Sequence, residues 1–246
     1  MERLALTPGH RRETMRAALA AMILPANFPA WIAALFVSTS AAFAADSDLA
    51  VAIVYDTSGS MKGNVAGRGG APEPKYVIAN RALAAIVDKL EKVNADGPRK
   101  VQCGLFTFRD KGGKETVKLG PLDAPALRNW LTAFSKPDGG TPIGGAVTDA
   151  TNALWKIRAD SRHVLVITDG ENTVGAAPDA VLPKLQDQCL KNGLVVHFHF
   201  LAFDVDAKVF GGIKQFGATL VGASDETQLN QKLNFILEEK ILLEKE

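Results

Sequence analysis

The sequence predicts a doubly wound α/β fold, a mostly parallel sheet between two helical layers with one antiparallel edge strand. Three observations carry this. The short apolar runs at 49–55, 163–168 and 194–201 read as strands buried on both faces. Segments of helical periodicity separate them. The two kinds of segment alternate along the chain, the pattern of crossover connections in a parallel sheet.

Leu49 to Tyr55, with Val51, Ile53 and Val54, is the first strand. Met61 to Pro74, rich in Gly and Pro, is predicted to be an irregular, mobile loop. Lys75 to Val93 is helical, since Tyr76, Ala79, Leu83, Ile86 and Leu90 form one stripe. Val101 to Phe108 and Thr116 to Leu119 form an edge hairpin around the turn "RDKGGKE", where lysines blunt the exposed edge. Ala124 to Phe134 and Ile143 to Ile157 are helices, with Pro142 suited to the first turn of the second. His163 to Thr168 is a buried strand, Pro178 to Lys191 a helix, Leu194 to Leu201 a strand, Ala207 to Phe216 a helix and Thr219 to Val221 a short strand. Asp225 caps a last helix that packs Leu233, Ile236 and Leu237 on the sheet.

Residues 17–45 carry no charged side chain, follow Arg11, Arg12 and Arg16, and end in Ala42-Phe43-Ala44. That pattern predicts a secretory signal over residues 1–44, with Met15 an alternative start and an uncleaved anchor the rival. Export to the periplasm or the cell exterior follows. Cleavage leaves 202 residues, a length suited to one domain over 45–246 with no further membrane span. Four of the 28 basic and two of the 27 acidic residues precede Ala45, so the remainder carries a net charge of −1. With no dense basic stripe, that balance excludes a nucleic-acid partner. Cys103 sits in a strand and Cys189 on a helix at least two strands away, so both are expected to be free and buried.

Three separated fragments offer oxygen ligands: Asp56-Thr57-Ser58-Gly59-Ser60, Gly140-Thr141-Pro142 and Thr168-Asp169-Gly170. In an extended stretch, side chains at alternate positions point the same way, so Asp56, Ser58 and Ser60 present one carboxylate and two hydroxyls to one point. Thr141 and Asp169 add ligands from two other loops and leave a position open. An all-oxygen set suits octahedral magnesium or manganese, ahead of calcium, rather than zinc.

This constellation resembles the metal-ion-dependent adhesion site of the von Willebrand factor type A family, whose pattern is a DxSxS segment, a distant Thr and a distant Asp. "IVYDTSGSM", "GGTPIGGAV" and "VLVITDGEN" stand in the family's order, and the match runs from about Leu49 to the C-terminal helix. The resemblance implies a Rossmann-like, three-layer α/β/α domain and a complete metal site. In it Ser58, Ser60 and Thr141 contact the metal, while Asp56 and Asp169 act directly or through water. Two carboxylates only just neutralise a divalent ion, which leaves the metal open to an aspartate or glutamate of a protein ligand. The function so implied is a non-enzymatic adhesion or complex-assembly module; oligomeric state is not legible.

The bland alternative for the three fragments is a set of Ser/Gly turns with capping aspartates. A metal-dependent phosphoester hydrolase is the enzymatic alternative, but no base is positioned for it: His163 precedes Asp169 by six residues, about 20 Å along a strand. An envelope-complex assembly or chaperone subunit is the third reading. His197 and His199 alternate on one strand and are read as a packed, hydrogen-bonded pair rather than zinc ligands. Asp204 and Asp206 follow the end of that strand and are read as solvated loop acids ahead of the alternative that they stand near the metal rim and shape ligand choice, and Glu171 and Asn172 as either orienters of metal-bound water or loop residues.

Overall fold

The computed structural model describes residues 48–97 and 99–243, so the predicted leader lies outside the described residues. The strands are Leu49–Tyr55 (β1), Asn64–Ala66 (β2), Pro72–Pro74 (β3), Val101–Arg109 (β4), Gly112–Pro121 (β5), Ser161–Thr168 (β6), His197–Phe203 (β7) and Thr219–Ala223 (β8). The α-helices are Lys75–Asp96 (α1), Ala124–Ala133 (α2), Ile143–Leu154 (α3), Pro178–Lys191 (α4) and Glu226–Phe235 (α5), the last continuing as a π-helical stretch over Ile236–Leu242. The large sheet has the order β5-β4-β1-β6-β7-β8. Every neighbouring pair is parallel except the β4–β5 hairpin at one edge.

β1 holds the centre because it has no polar side chain that requires water until its end: all seven residues are buried. Alternation then divides its contacts between two layers. Val51, Ile53 and Tyr55 pack with α1, α2 and α5, while Ala50, Ala52 and Val54 pack with α3, α4 and a 3-10 segment over Ala207–Phe216. Strand order reverses around β1, with β4 on one side and β6 on the other. The loops leaving the carboxyl ends of β1 and β6 therefore meet, where doubly wound sheets bind ligands.

Three expectations are corrected. The 61–74 stretch is ordered as a small ladder: a 3-10 turn over Gly59–Lys62 buries Met61, and β2 pairs antiparallel with β3. Its glycines make the connection, with positive φ at Gly69 and Gly70, and its prolines sit on a two-stranded edge that needs few N–H donors. Arg81 holds the ladder in place, reaching Glu73 of β3 at 2.6 Å and Glu226 of α5 at 2.7 Å. The hairpin turn is shorter than expected, and β5 starts at Gly112. The glycines there serve close packing against α3 instead: a Cβ on Gly113 would lie 3.1 Å from Ala146 Cα. β7 runs from His197 to Phe203 instead of starting at Leu194, whereas α4 and the 207–216 helix, the latter in 3-10 form, keep their expected bounds.

Cys103 and Cys189 are free and buried, as expected. They belong to the cores on opposite faces of the sheet.

One polar residue ties the end of β1 to the helical layer beside it. The Tyr55 hydroxyl donates to Asn80 Oδ1 at 2.7 Å, and Asn80 Nδ2 donates to the carbonyls of Leu131 and Phe134 at 2.9 and 3.2 Å. The Tyr55 ring also meets Trp130 and Phe134 edge-on. Asn80→Ala is expected to cost about 2–3 kcal/mol, because it strands two carbonyls and weakens the pairing of a buried hydroxyl. Denaturant unfolding checks this; a loss below about 0.5 kcal/mol contradicts it.

Candidate metal centre

The backbone places Asp56 directly beyond β1, where its N–H still donates to Ile167 of β6 at 3.0 Å. Its side chain is fully buried. Both carboxylate oxygens are engaged: Oδ1 accepts from the Ser58 N–H at 2.7 Å and Oδ2 from the Thr168 hydroxyl at 2.6 Å. The loop does not continue as the expected extended stretch, since the 3-10 turn begins at Gly59 and buries Met61 as its apolar anchor. The hydroxyls nevertheless meet, with Ser58 Oγ and Ser60 Oγ 2.9 Å apart. Ser60 Oγ in turn donates to Asp169 Oδ1 at 2.7 Å.

The third segment is held by backbone pairing. Gly59 N–H donates to Gly139 O at 3.1 Å and Asp138 N–H to Thr57 O at 2.8 Å, which locks the 135–142 loop to the loop after β1. Thr141 exchanges two bonds with Thr173, its N–H donating to Thr173 Oγ1 at 2.9 Å and its carbonyl accepting from Thr173 N–H at 3.0 Å. Two glycines permit this approach: Gly139 has φ +84°, and a Cβ on Gly140 would stand 2.7 Å from Val174 Cγ2. A Cβ built on Gly170 would sit 3.6 Å from Ser60 Oγ and 3.8 Å from Thr141 Oγ1, so these two hydroxyls border one small space.

The donors at this rim are hydroxyl and carboxylate oxygens, which fits a hard divalent cation and does not fit zinc. Among the described residues no group of three or more His, Cys, Asp or Glu side chains is placed to hold a metal, so a cation here would depend on the hydroxyls. Asp56, Ser58, Thr141 and Asp169 are buried, while Ser60 is exposed and marks the open side.

Two residues at the rim, Thr168 and Lys75, carry no assignment from the sequence. Thr168 orients Asp56. Lys75, the first residue of α1, contacts Asp169 Oδ2 at 2.9 Å and Asp204 Oδ2 at 3.0 Å. Of the two readings for Asp204, the rim position holds: its side chain is drawn to Lys75 while staying partly exposed, with its backbone in the left-handed region at φ 54°. The one available signal for Lys75 was a cation at a helix N-terminus, against the helix dipole. Asp206 lies outside this network and accepts from Lys208 N–H at 2.9 Å. Asn172 secures loops, accepting from Gly144 N–H and donating to the carbonyls of Val174 and Gly175. The histidines are far along the strands from the rim. His163 Nδ1 and His199 Nε2 are 3.0 Å apart, and the His163 ring stacks on both His197 and His199. The expected pair is therefore a three-ring cluster joined through the neighbouring strand.

Burial pushes the Asp56 carboxyl up to about 6; the hydrogen bonds from Ser58 and Thr168 oppose the shift, and the charge of Asp169 adds to it. A folded pKa above the unfolded 3.8 means that the folded state holds the extra proton between these values. Its contribution to stability is present below about pH 4 and is lost as pH rises through about 6. Near neutrality the buried charge costs on the order of 3 kcal/mol. Asp56→Asn is accordingly expected to raise stability at pH 7 in chelator by about 1–3 kcal/mol, since Thr168 can reverse its hydroxyl to accept from the amide. Chemical denaturation at pH 7 and pH 4 tests this; an equal effect at both contradicts it.

Residues 51–171 match the von Willebrand factor type A domain model. An uncharacterized protein of Bacillus subtilis (strain 168), YwmD, is 29% identical over 212 residues, covering 80% of this chain and 86% of its own length. Among solved structures, the vWF domain of the type V pili tip protein Mfa5 from Porphyromonas gingivalis has a TM-score of 0.62 at 14% identity, over 82% of this chain and 98% of that one. A D319A mutant of the PilB minor pilin from Streptococcus sanguinis has a TM-score of 0.62 at 16% identity, over 78% of this chain. The match spans 61% of that pilin, less than two thirds of its length. Over residues 51–171 the chain is thus similar to the von Willebrand factor type A domain, and its mostly parallel sheet with flanking helices is the fold of these solved neighbours.

Proposed function

We propose that this domain is an exported protein-binding module in which Asp56, Ser58, Ser60, Thr141 and Asp169 hold a divalent cation, magnesium or manganese, that bridges to an aspartate or glutamate of a protein partner. The observation that carries the reading is the convergence of hydroxyls and carboxylates from three loops at the carboxyl ends of the adjacent strands β1 and β6. The cation would supply a Lewis-acidic point at the surface. The chain itself orients the donors: Thr168 and Ser58 fix Asp56, the paired backbones of Thr141 and Thr173 present the threonine hydroxyl, and exposed Ser60 leaves an approach for the partner. Export rests on the uncharged, Ala-x-Ala-terminated leader. No described helix is long and apolar enough to cross a membrane.

The position of the histidines favours binding over hydrolysis. His163 is paired in register with Val51, five residues before Asp56, which puts its backbone about 17 Å below the rim. A histidine base is therefore absent from the rim among the described residues, and a general base would have to come from elsewhere.

The full chain used as bait against envelope extract is expected to retain a protein in magnesium and to release it in chelator. Asp56→Ala is expected to retain nothing, and Thr141→Ala to retain less with an unchanged thermal midpoint. Retention that ignores both metal and Asp56 overturns the bridging mechanism. Metal affinity is also expected to fall as pH drops through about 6, because protons then compete for Asp56; a flat calorimetric profile between pH 7 and 5 contradicts this.

A further inference from the structure

Lys75 is the unusual member of the rim. Its side chain is 10% exposed and its Nζ bridges Asp169 Oδ2 at 2.9 Å and Asp204 Oδ2 at 3.0 Å. The backbone holds it there, since its N–H donates to Gly63 O at 2.8 Å beside the turn that carries Ser60. A nearly buried ammonium is costly unless paired, and an ammonium at a helix N-terminus opposes the dipole, so neither packing nor helix formation accounts for a lysine at this position.

Charge does account for it. Asp56, Asp169 and Asp204 carry three negative charges and Lys75 one positive, so a divalent cation would bring this group to neutrality. Without Lys75 the same cation would face a net charge of −3, bind more tightly, and repel an incoming anion.

We propose that Lys75 is a specificity-determining residue of the metal centre: its ammonium cancels Asp204 and so preserves the field with which a bound divalent cation attracts a partner's carboxylate. The proposal rests on the metal-centre reading above. Lys75 touches the partner neither directly nor as a ligand; it acts through Asp169 and Asp204.

The test uses the full chain with Mn2+ as the metal, followed by calorimetry, and acetate as the carboxylate probe, followed by water proton relaxation of the bound Mn2+. Lys75→Gln is expected to bind Mn2+ about tenfold more tightly and acetate several-fold more weakly, and Asp204→Asn to bind Mn2+ about tenfold more weakly. The double variant, with the original net charge, is expected to return both affinities to within about threefold of the parent. A folded Lys75→Gln variant with unchanged or weaker Mn2+ affinity overturns the proposal. Should that variant fail to fold, an Asp204→Asn affinity equal to the parent's overturns it, because Asp204 is 41% exposed and tolerates the exchange. If the parent binds no Mn2+, or binds it equally with Asp56→Ala, the metal centre itself is refuted and the role of Lys75 falls with it.

Discussion

The structure depends on the burial of a carboxylate at the end of its most buried strand. β1 runs through the middle of the sheet without a polar side chain until Tyr55, and Asp56 follows while the backbone is still bonded to β6. Water is excluded there, so the charge must be met from within. The Ser58 N–H and the Thr168 hydroxyl meet it, and both come from segments that terminate the central strands. The remaining cost, visible in the raised pKa, is a reservoir that a cation could relieve.

From Asp56 a line of polar contacts crosses the rim. The Ser58 N–H bonds Asp56 and its hydroxyl bonds Ser60; Ser60 reaches Asp169, Asp169 reaches Lys75, and Lys75 reaches Asp204. The line joins the ends of β1, β6 and β7 to the start of α1. A second network, Glu73–Arg81–Glu226, ties the small β2–β3 ladder to α1 and to the beginning of α5. The ladder that follows the turn carrying Ser60 is thus tied to the last helix. In a low-dielectric rim such contacts polarise one another, so a change at one carboxylate is felt by the rest.

The glycines make the crowding possible. Gly140 has no room for a Cβ beside Val174, and Gly113 lies against α3 where a Cβ would press on Ala146. In the sequence these residues look like turn formers, the 112–113 pair included. Their role is close approach between elements distant in the chain, which local pattern does not encode.

Much of this protein was legible one segment at a time. Continuous apolar runs fixed β1 and β6 as central strands, periodicity fixed α1 and α4, and the oxygen-bearing fragments marked Asp56, Ser58, Ser60, Thr141 and Asp169. These signals are local: each states what a stretch must bury or present. The sequence did not show that Lys75 and Asp204, 129 residues apart, would pair at the rim, that Thr168 would hold Asp56, or that His163 would stand between His197 and His199. Nor did it show that a Gly/Pro-rich stretch would fold back as a ladder under Arg81. Those pairings follow from strand order and from which loops emerge at the same end of the sheet. Only the tertiary structure decided them, because the energy of a charge depends on the charges folded beside it and not on its neighbours in the chain.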